Sequence, residues 1–181
     1  MPVDISQSGF HALRSAVTAL RAEYAGIRAA VNVEATAAGY GAPELLGENI
    51  AATAWPNPPG GGFAWVGFSL PTQRDLPALA IQHGRTIYQL RAVCGVRHTD
   101  LGPGADLDLT GQDAGWSTGA LMASVVATAL VRHLTDYAGI YSAVLTGLRA
   151  LPGDTTGGRD TFVHEVILDV HMMTYNAALT A

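Results

Sequence analysis

The chain has 181 residues, of which 49% are hydrophobic and 14% charged, and its formal net charge is −5. This length and apolar content predict one folded domain with a sizeable core and exclude a disordered chain. All ten basic residues are arginine, which excludes lysine chemistry such as Schiff-base catalysis or a P-loop phosphate lysine. The arginines are scattered singly and form no basic stripe, so specific nucleic-acid binding is not expected.

One cysteine, Cys94, excludes an intrachain disulfide and a cysteine-rich metal site. The N-terminal segment lacks the basic and apolar regions of a secretory signal. The longest apolar run, residues 119–131, is shorter than the ~20 residues that span a bilayer. A soluble protein without a membrane partner is therefore expected.

The first element is a predicted helix from about residue 8 to residue 31, with Ser8 as its N-cap. Its apolar residues recur at alternating intervals of three and four: Phe10, Leu13, Val17, Leu20, Tyr24, Ile27 and Val31. Such a seam also fits a coiled coil, but only about three heptads are present. A helix that lies on a sheet of its own chain is favoured.

A β-rich region is expected at residues 50–98, after a loop at 32–49. Short strands are predicted at 50–55 and 63–70, and a hairpin joins 76–82 to 85–98 through the His83-Gly84 step. Alternation in the last strand puts one set of residues on the core face: Tyr88, Leu90, Ala92, Cys94 and Val96.

A polar loop is predicted at 99–118, then a helix at about 118–134 and C-terminal strands at 140–151 and 161–175. The core face of the last strand is predicted to carry Phe162, Val166, Leu168, Val170 and Met172. These elements predict a single α+β domain over residues 1–181. It would be a mainly antiparallel β-sheet flanked by two principal helices, in two layers with long loops.

Two weak candidates for a metal site stand out. Asp106 and Asp108 occupy the first and third positions of a calcium-loop pattern, but Ser117 stands where the bidentate glutamate belongs. One strand face carries Glu165, Asp169 and His171. These residues could bind a metal or act in acid–base chemistry, or the face could simply be exposed or lie in an interface. In both cases the interpretation without a metal is favoured: a flexible acidic loop for the first and an exposed or interface strand face for the second. No nucleophile with a base is evident, so neither an enzyme nor a cofactor is predicted.

The segment WPNPPGGGFAW spans residues 55–65 and is interpreted as a loop between the predicted strands 50–55 and 63–70. Without a lysine or a following helix it lacks the chemistry of a phosphate loop. Four of its residues are candidates for contact with a partner: Trp55, Pro58, Pro59 and Trp65.

The order of elements resembles the tail terminator (tail completion) proteins of long-tailed bacteriophages. The segments that carry this resemblance are HALRSAVTALRAEYAGI, DLPALAIQHGRTIYQLRAVCGVRH, ALMASVVATALVRHL and TFVHEVILDVHMMTY. The resemblance implies an antiparallel sheet flanked by helices. It also implies a ring of six copies that caps the tail tube and joins it to the head–tail connector.

The expected partners are thus copies of the chain, the tail tube protein and a connector or head-completion protein, in a virion assembled in the host cytoplasm. Arg91 and Arg97 join the candidate contact residues on the mixed face of their strand. The long segments 36–62 and 99–118 depart from a compact version of the fold, which leaves another neck or head-completion protein as an alternative. A small metal-binding enzyme and a cellular interaction domain also stay open.

Overall fold

The computed structural model describes residues 1–37, 44–52, 63–74, 83–97, 109–152 and 161–176. Two α-helices and seven strands form within these ranges, with a short 3-10 helix at Leu134–Asp136. The helices are α1 (Ile5–Ala37) and α2 (Leu109–His133). The strands are β1 (Val3–Asp4), β2 (Glu44–Ile50), β3 (Phe63–Phe68), β4 (Thr72–Gln73), β5 (His83–Arg97), β6 (Ile140–Leu151) and β7 (Thr161–Tyr175).

The described strands form one mixed sheet in the order β1-β7-β5-β3-β2. Strands β6 and β1 both pair with the same side of β7, and β1 lies at the C-terminal end of β7. Strands β4 and β3 likewise both pair with the same side of β5. The pairs β1–β7 and β2–β3 are parallel, and the other pairs are antiparallel. The predicted α+β class is confirmed. Among the described strands, β2 and β6 form the two long edges of the sheet.

The centre of the sheet is the pairing of β5 with β7, which runs without interruption from His83 opposite Tyr175 to Arg97 opposite Thr161. Side chains alternate between the two faces of such a ladder. The face against the helices is apolar and buried, which confirms the predicted core residues on both strands: Tyr88, Leu90, Ala92, Cys94, Val96, Phe162, Val166, Leu168, Val170 and Met172.

Helix α1 extends beyond the predicted range at both ends. Asp4 is its N-cap, since the Asp4 carboxylate accepts a hydrogen bond from the Ser6 backbone N–H at 2.9 Å. Ser8 is therefore not the N-cap. It lies buried inside the helix, and its hydroxyl hydrogen-bonds the hydroxyl of Tyr88 at 2.6 Å. Most of the predicted stripe is buried, but Phe10 is 69% exposed and Tyr24 is 36% exposed.

Helix α2 begins at Leu109, nine residues before the predicted start at Thr118, so the second half of the predicted loop 99–118 is helical. This also corrects the calcium-loop hypothesis. Residues 109–117 are α-helical and cannot form the irregular part of a twelve-residue calcium loop. Asp106 and Asp108 themselves lie outside the described residues.

The segment Thr118–Asp136 is, within the described ranges, long and apolar enough by length and composition to cross a membrane. It is longer than the run at 119–131 considered from the sequence. Its inward side chains Met122, Val126 and Leu130 lie fully buried in the core against the sheet. A helix in the core of a folded protein meets the same length and composition criteria, and 44% of this segment is buried.

The edge formed by β2 differs from the prediction. The strand covers residues 44–50, where a loop was expected, and only Ile50 of the predicted strand 50–55 belongs to it. It runs parallel to β3, so these two strands do not form a hairpin. The His83-Gly84 step is likewise not a turn, because both residues pair with β7 as the start of β5.

Candidate functional site

The sheet face opposite the two described helices, which we call the helix-free face, carries most of the charged residues that the sequence analysis proposed as candidates. The pairing register places Glu165 between Val93 and Arg149 and places Asp169 between Gln89 and Val144. Glu165, Asp169 and His171 therefore do share one face of β7, as alternation predicts. What these groups can do depends on their neighbours across the strands.

Glu165 is held by arginine side chains. Arg149 Nε donates a hydrogen bond to its Oε2 at 2.7 Å, and Arg91 Nη1 lies 3.8 Å from its Oε1. The glutamate side chain is only 6% exposed, although neither of the two described α-helices covers this face. A buried carboxylate needs such partners. Arg91 also donates to Gln89 Oε1 at 2.8 Å, so this predicted contact residue is engaged within its own chain.

Asp169 and His171 have separate partners. Arg74 Nη1 donates to Asp169 Oδ2 at 2.8 Å, while Asp169 Oδ1 is buried without a hydrogen-bond partner among the described residues. The His171 ring meets the Tyr141 ring edge-on, with centroids 5.9 Å apart, and Arg85 lies over the same tyrosine at 5.7 Å. The three polar residues of β7 thus do not converge.

Metal binding finds no support in this arrangement. Within the described ranges, no group of three or more His, Cys, Asp or Glu side chains could hold a metal ion. Cys94 is fully buried, and burial raises the pKa of its thiol to about 12. A thiol with so high a pKa is not a nucleophile near neutral pH.

A small apolar cluster closes one end of the helix-free face. Trp65, Val93 and Val163 are buried there, with Leu151 packed against them. The Trp65 ring lies directly over Gly95, since a Cβ added to Gly95 would come within 2.2 Å of the ring. Trp65, a predicted contact residue, therefore packs within its own chain. Arg97 ends β5, and Trp55, Pro58 and Pro59 lie outside the described residues.

His164, which is not among the predicted site residues, lies under α2. This side chain is buried, and a Cβ added to Gly119 would come within 2.8 Å of its Nδ1. Burial lowers the pKa of His164 below its ordinary value of 6.5. The alternation of β7 could have placed this residue, since position 164 falls between two predicted core positions, Phe162 and Val166.

An exposed apolar surface lies along β6. Four side chains of the strand are between 43% and 46% exposed: Tyr141, Val144, Leu145 and Leu148. Val131 of α2, nearby, is 38% exposed. A groove of about 410 Å³ separates β6 from α2. Its lining includes Ala127, Thr128, Val131, Leu145 and Leu148. We define these five exposed residues (Val131, Tyr141, Val144, Leu145 and Leu148) as the β6 surface.

An apolar surface on an unpaired edge strand is typical of a site where another chain binds. On the helix-free face, by contrast, Glu165 and Asp169 each form an ion pair with an arginine. A comparison of the sequence with protein-family models and with curated proteins found no match.

Proposed function

We propose that this chain is a non-enzymatic structural protein of a virion, a tail terminator of a long-tailed bacteriophage that acts as a ring of six copies. The ring would cap the tail tube, stop its growth and join it to the head–tail connector. The confirmed α+β fold, with two helices on a mostly antiparallel sheet, is the fold that the sequence resemblance implies.

The observation that carries the proposal is the β6 surface. Tyr141, Val144, Leu145 and Leu148 lie half exposed on one edge strand, beside the groove along α2. Apolar side chains concentrated at an edge strand stabilise a protein when a partner covers them and promote aggregation when none does. A protein whose task is assembly has a use for such a surface.

The polar groups of the helix-free face support the same conclusion. The two carboxylates that β7 contributes to this face are each paired with an arginine: Glu165 with Arg149 and Asp169 with Arg74. Ion pairs formed within the chain restrain these side chains. The face is suited to supporting the fold and to contact with neighbours.

Disruption of the coding gene in its virus tests the proposal. We expect heads without tails and free tails of irregular length, visible by negative-stain microscopy. The wild-type gene supplied in trans should restore joined particles, and Leu145→Arg should not. Val33→Arg, the matched control on an exposed position of α1, should restore them. Joined tails of normal length in the absence of the gene would contradict the proposal.

Another neck or head-completion protein is the alternative that this experiment separates. Loss of a head-completion protein would leave free tails of uniform normal length, because tube growth would still be stopped. A cellular interaction domain would give no particle phenotype at all.

A further inference from the structure

We propose that the free protein forms a two-fold dimer through β6, in which the sheets of two copies join edge to edge. The dimer does not rest on the proposed function. A two-fold contact uses the same surface on both copies, whereas a ring built by rotation uses two different surfaces. The dimer is therefore a state of the free protein, in which the β6 surface is covered until another contact replaces it.

The first argument is that nothing in the described chain covers the outer side of β6. Its inner side pairs with β7 from Ile140 to Leu151. Residues 140–148 contain no charged side chain. Charges and prolines are the usual devices that keep an edge strand from pairing with another chain. This stretch lacks both, and four of its apolar side chains are half exposed.

The second argument concerns which face of the sheet each β6 residue lies on. Ile140, Ala143, Leu145 and Leu148 stand opposite core residues of β7, on the helix-covered face. Ser142, Val144 and Gly147 stand opposite residues of the helix-free face. The ring contacts of Tyr141 with His171 and Arg85 place it on the helix-free face as well.

This distribution is symmetric about Val144. An antiparallel pairing of two β6 strands centred on Val144 places Val144 opposite itself and Ala143 opposite Leu145. It also places Ile140 opposite Leu148, and Tyr141 opposite Gly147. The members of each facing pair lie on the same face of the sheet, as antiparallel pairing requires. The two irregularities of β6, after Ile140 and after Leu145, preserve the symmetry.

Charge agrees with this register. The one charged residue of β6, Arg149, faces Gly139 of the second copy and not another arginine. Arg149 remains bound to Glu165 of its own chain at 2.7 Å. On the helix-covered face, Leu145 of each copy lies opposite Ala143 of the other, and Leu148 lies opposite Ile140, each beside the groove along α2 of its own copy. A second copy of this chain therefore fits the surface by pattern and charge.

The mass of the full-length protein in solution tests the dimer. Native mass spectrometry and light scattering should give twice 18.8 kDa at micromolar concentration. Val144→Arg places two like charges face to face at the centre and should weaken dimerisation by roughly a hundredfold or more. Val33→Arg, also on an exposed position, should leave the dimer intact. Circular dichroism checks that both variants are folded.

Cross-linking tests the register and does not depend on Val144→Arg folding. Val144→Cys should give a covalent dimer rapidly with a short thiol cross-linker, since facing Cβ atoms lie about 5 Å apart. Ala150→Cys is the control, because two copies of position 150 would lie about 40 Å apart along the strands. Cys94 does not interfere, as it is fully buried.

A monomer at all concentrations up to about 100 µM would overturn the proposal. So would equal cross-linking of Val144→Cys and Ala150→Cys, which would indicate random contacts. A ring of six without a dimer would overturn the two-fold contact and support the proposed function. Normal tails in the gene disruption would contradict the proposed function and leave the dimer standing.

Discussion

The two long edges of the sheet are built differently. At β2, the Arg21 guanidinium donates to the Ile50 carbonyl at 2.8 Å, and the Tyr24 ring lies against Gly47. The charged residue Glu48 is also exposed on this strand. At β6, no charge occurs between residues 140 and 148 and four apolar side chains are half exposed. Side chains of α1 thus contact the β2 edge, whereas β6 leaves apolar side chains exposed.

The largest expected effect comes from the same truncation on both edges. Leu45→Ala, at a position 2% exposed, should lower the free energy of unfolding by about 2–5 kcal/mol through lost burial and a cavity. Leu145→Ala, at a position 45% exposed, should cost about 1 kcal/mol or less. Urea denaturation at a concentration where the protein is monomeric measures both. Equal losses would contradict the contrast between the edges.

A pair of glycines compares the interior of the sheet with its β6 edge. Gly95→Ala would drive a methyl group into the Trp65 ring, and overpacking of this kind costs about 1–3 kcal/mol. Gly147→Ala meets Ile167 at 3.3 Å, which a small shift at an edge can relieve. Thermal unfolding should show a clear loss for the first variant and little change for the second. The reverse order would refute the packing of Trp65 over Gly95.

Arg21→Ala should open the β2 edge. Loss of its hydrogen bond to the Ile50 carbonyl should cost about 1 kcal/mol, since the arginine is largely exposed. Arg14→Ala is the control, because Arg14 is an exposed arginine of the same helix. Amide exchange should quicken in β2 in the first variant only. Unchanged exchange in Arg21→Ala would mean that Arg21 does not close this edge.

The smallest expected effect is a pH dependence that belongs to the core between the edges. Burial lowers the pKa of His164 below 6.5, so the unfolded chain takes up a proton at higher pH than the folded chain. Stability should therefore decline as pH falls below about 6.5, down to the folded-state pKa. His164→Gln should remove this part of the decline, and His171→Gln, a half-buried control, should keep it. Identical pH profiles for both variants would contradict the role of His164.

Long alternating strands could be predicted well from the sequence, because side-chain period reports burial directly. β6 and β7 have the predicted bounds 140–151 and 161–175. Helix ends were harder. The stripe of large apolar residues stops at Val31, but α1 continues and buries the small residue Ala35. The His83-Gly84 step has the composition of a turn, yet pairing with β7 holds it in a strand.

The functional surfaces were only partly predictable. The period of β7 correctly placed Glu165, Asp169 and His171 on one face. Their arginine partners could not be foreseen, because Arg74 is 95 residues from Asp169 in sequence. The exposed state of β6 also depends on topology. Its sequence predicts a strand, but its place at the edge follows from the strand order of the whole sheet.

Amide hydrogen exchange of the wild-type protein at low and high concentration tests the central claim most directly. If β6 is the edge left for a second copy, protection of the amides between Ser142 and Leu148 should rise with protein concentration. Protection of β2 should stay constant, because its own chain closes that edge. Concentration-dependent protection of β2, or none in β6, would contradict the account.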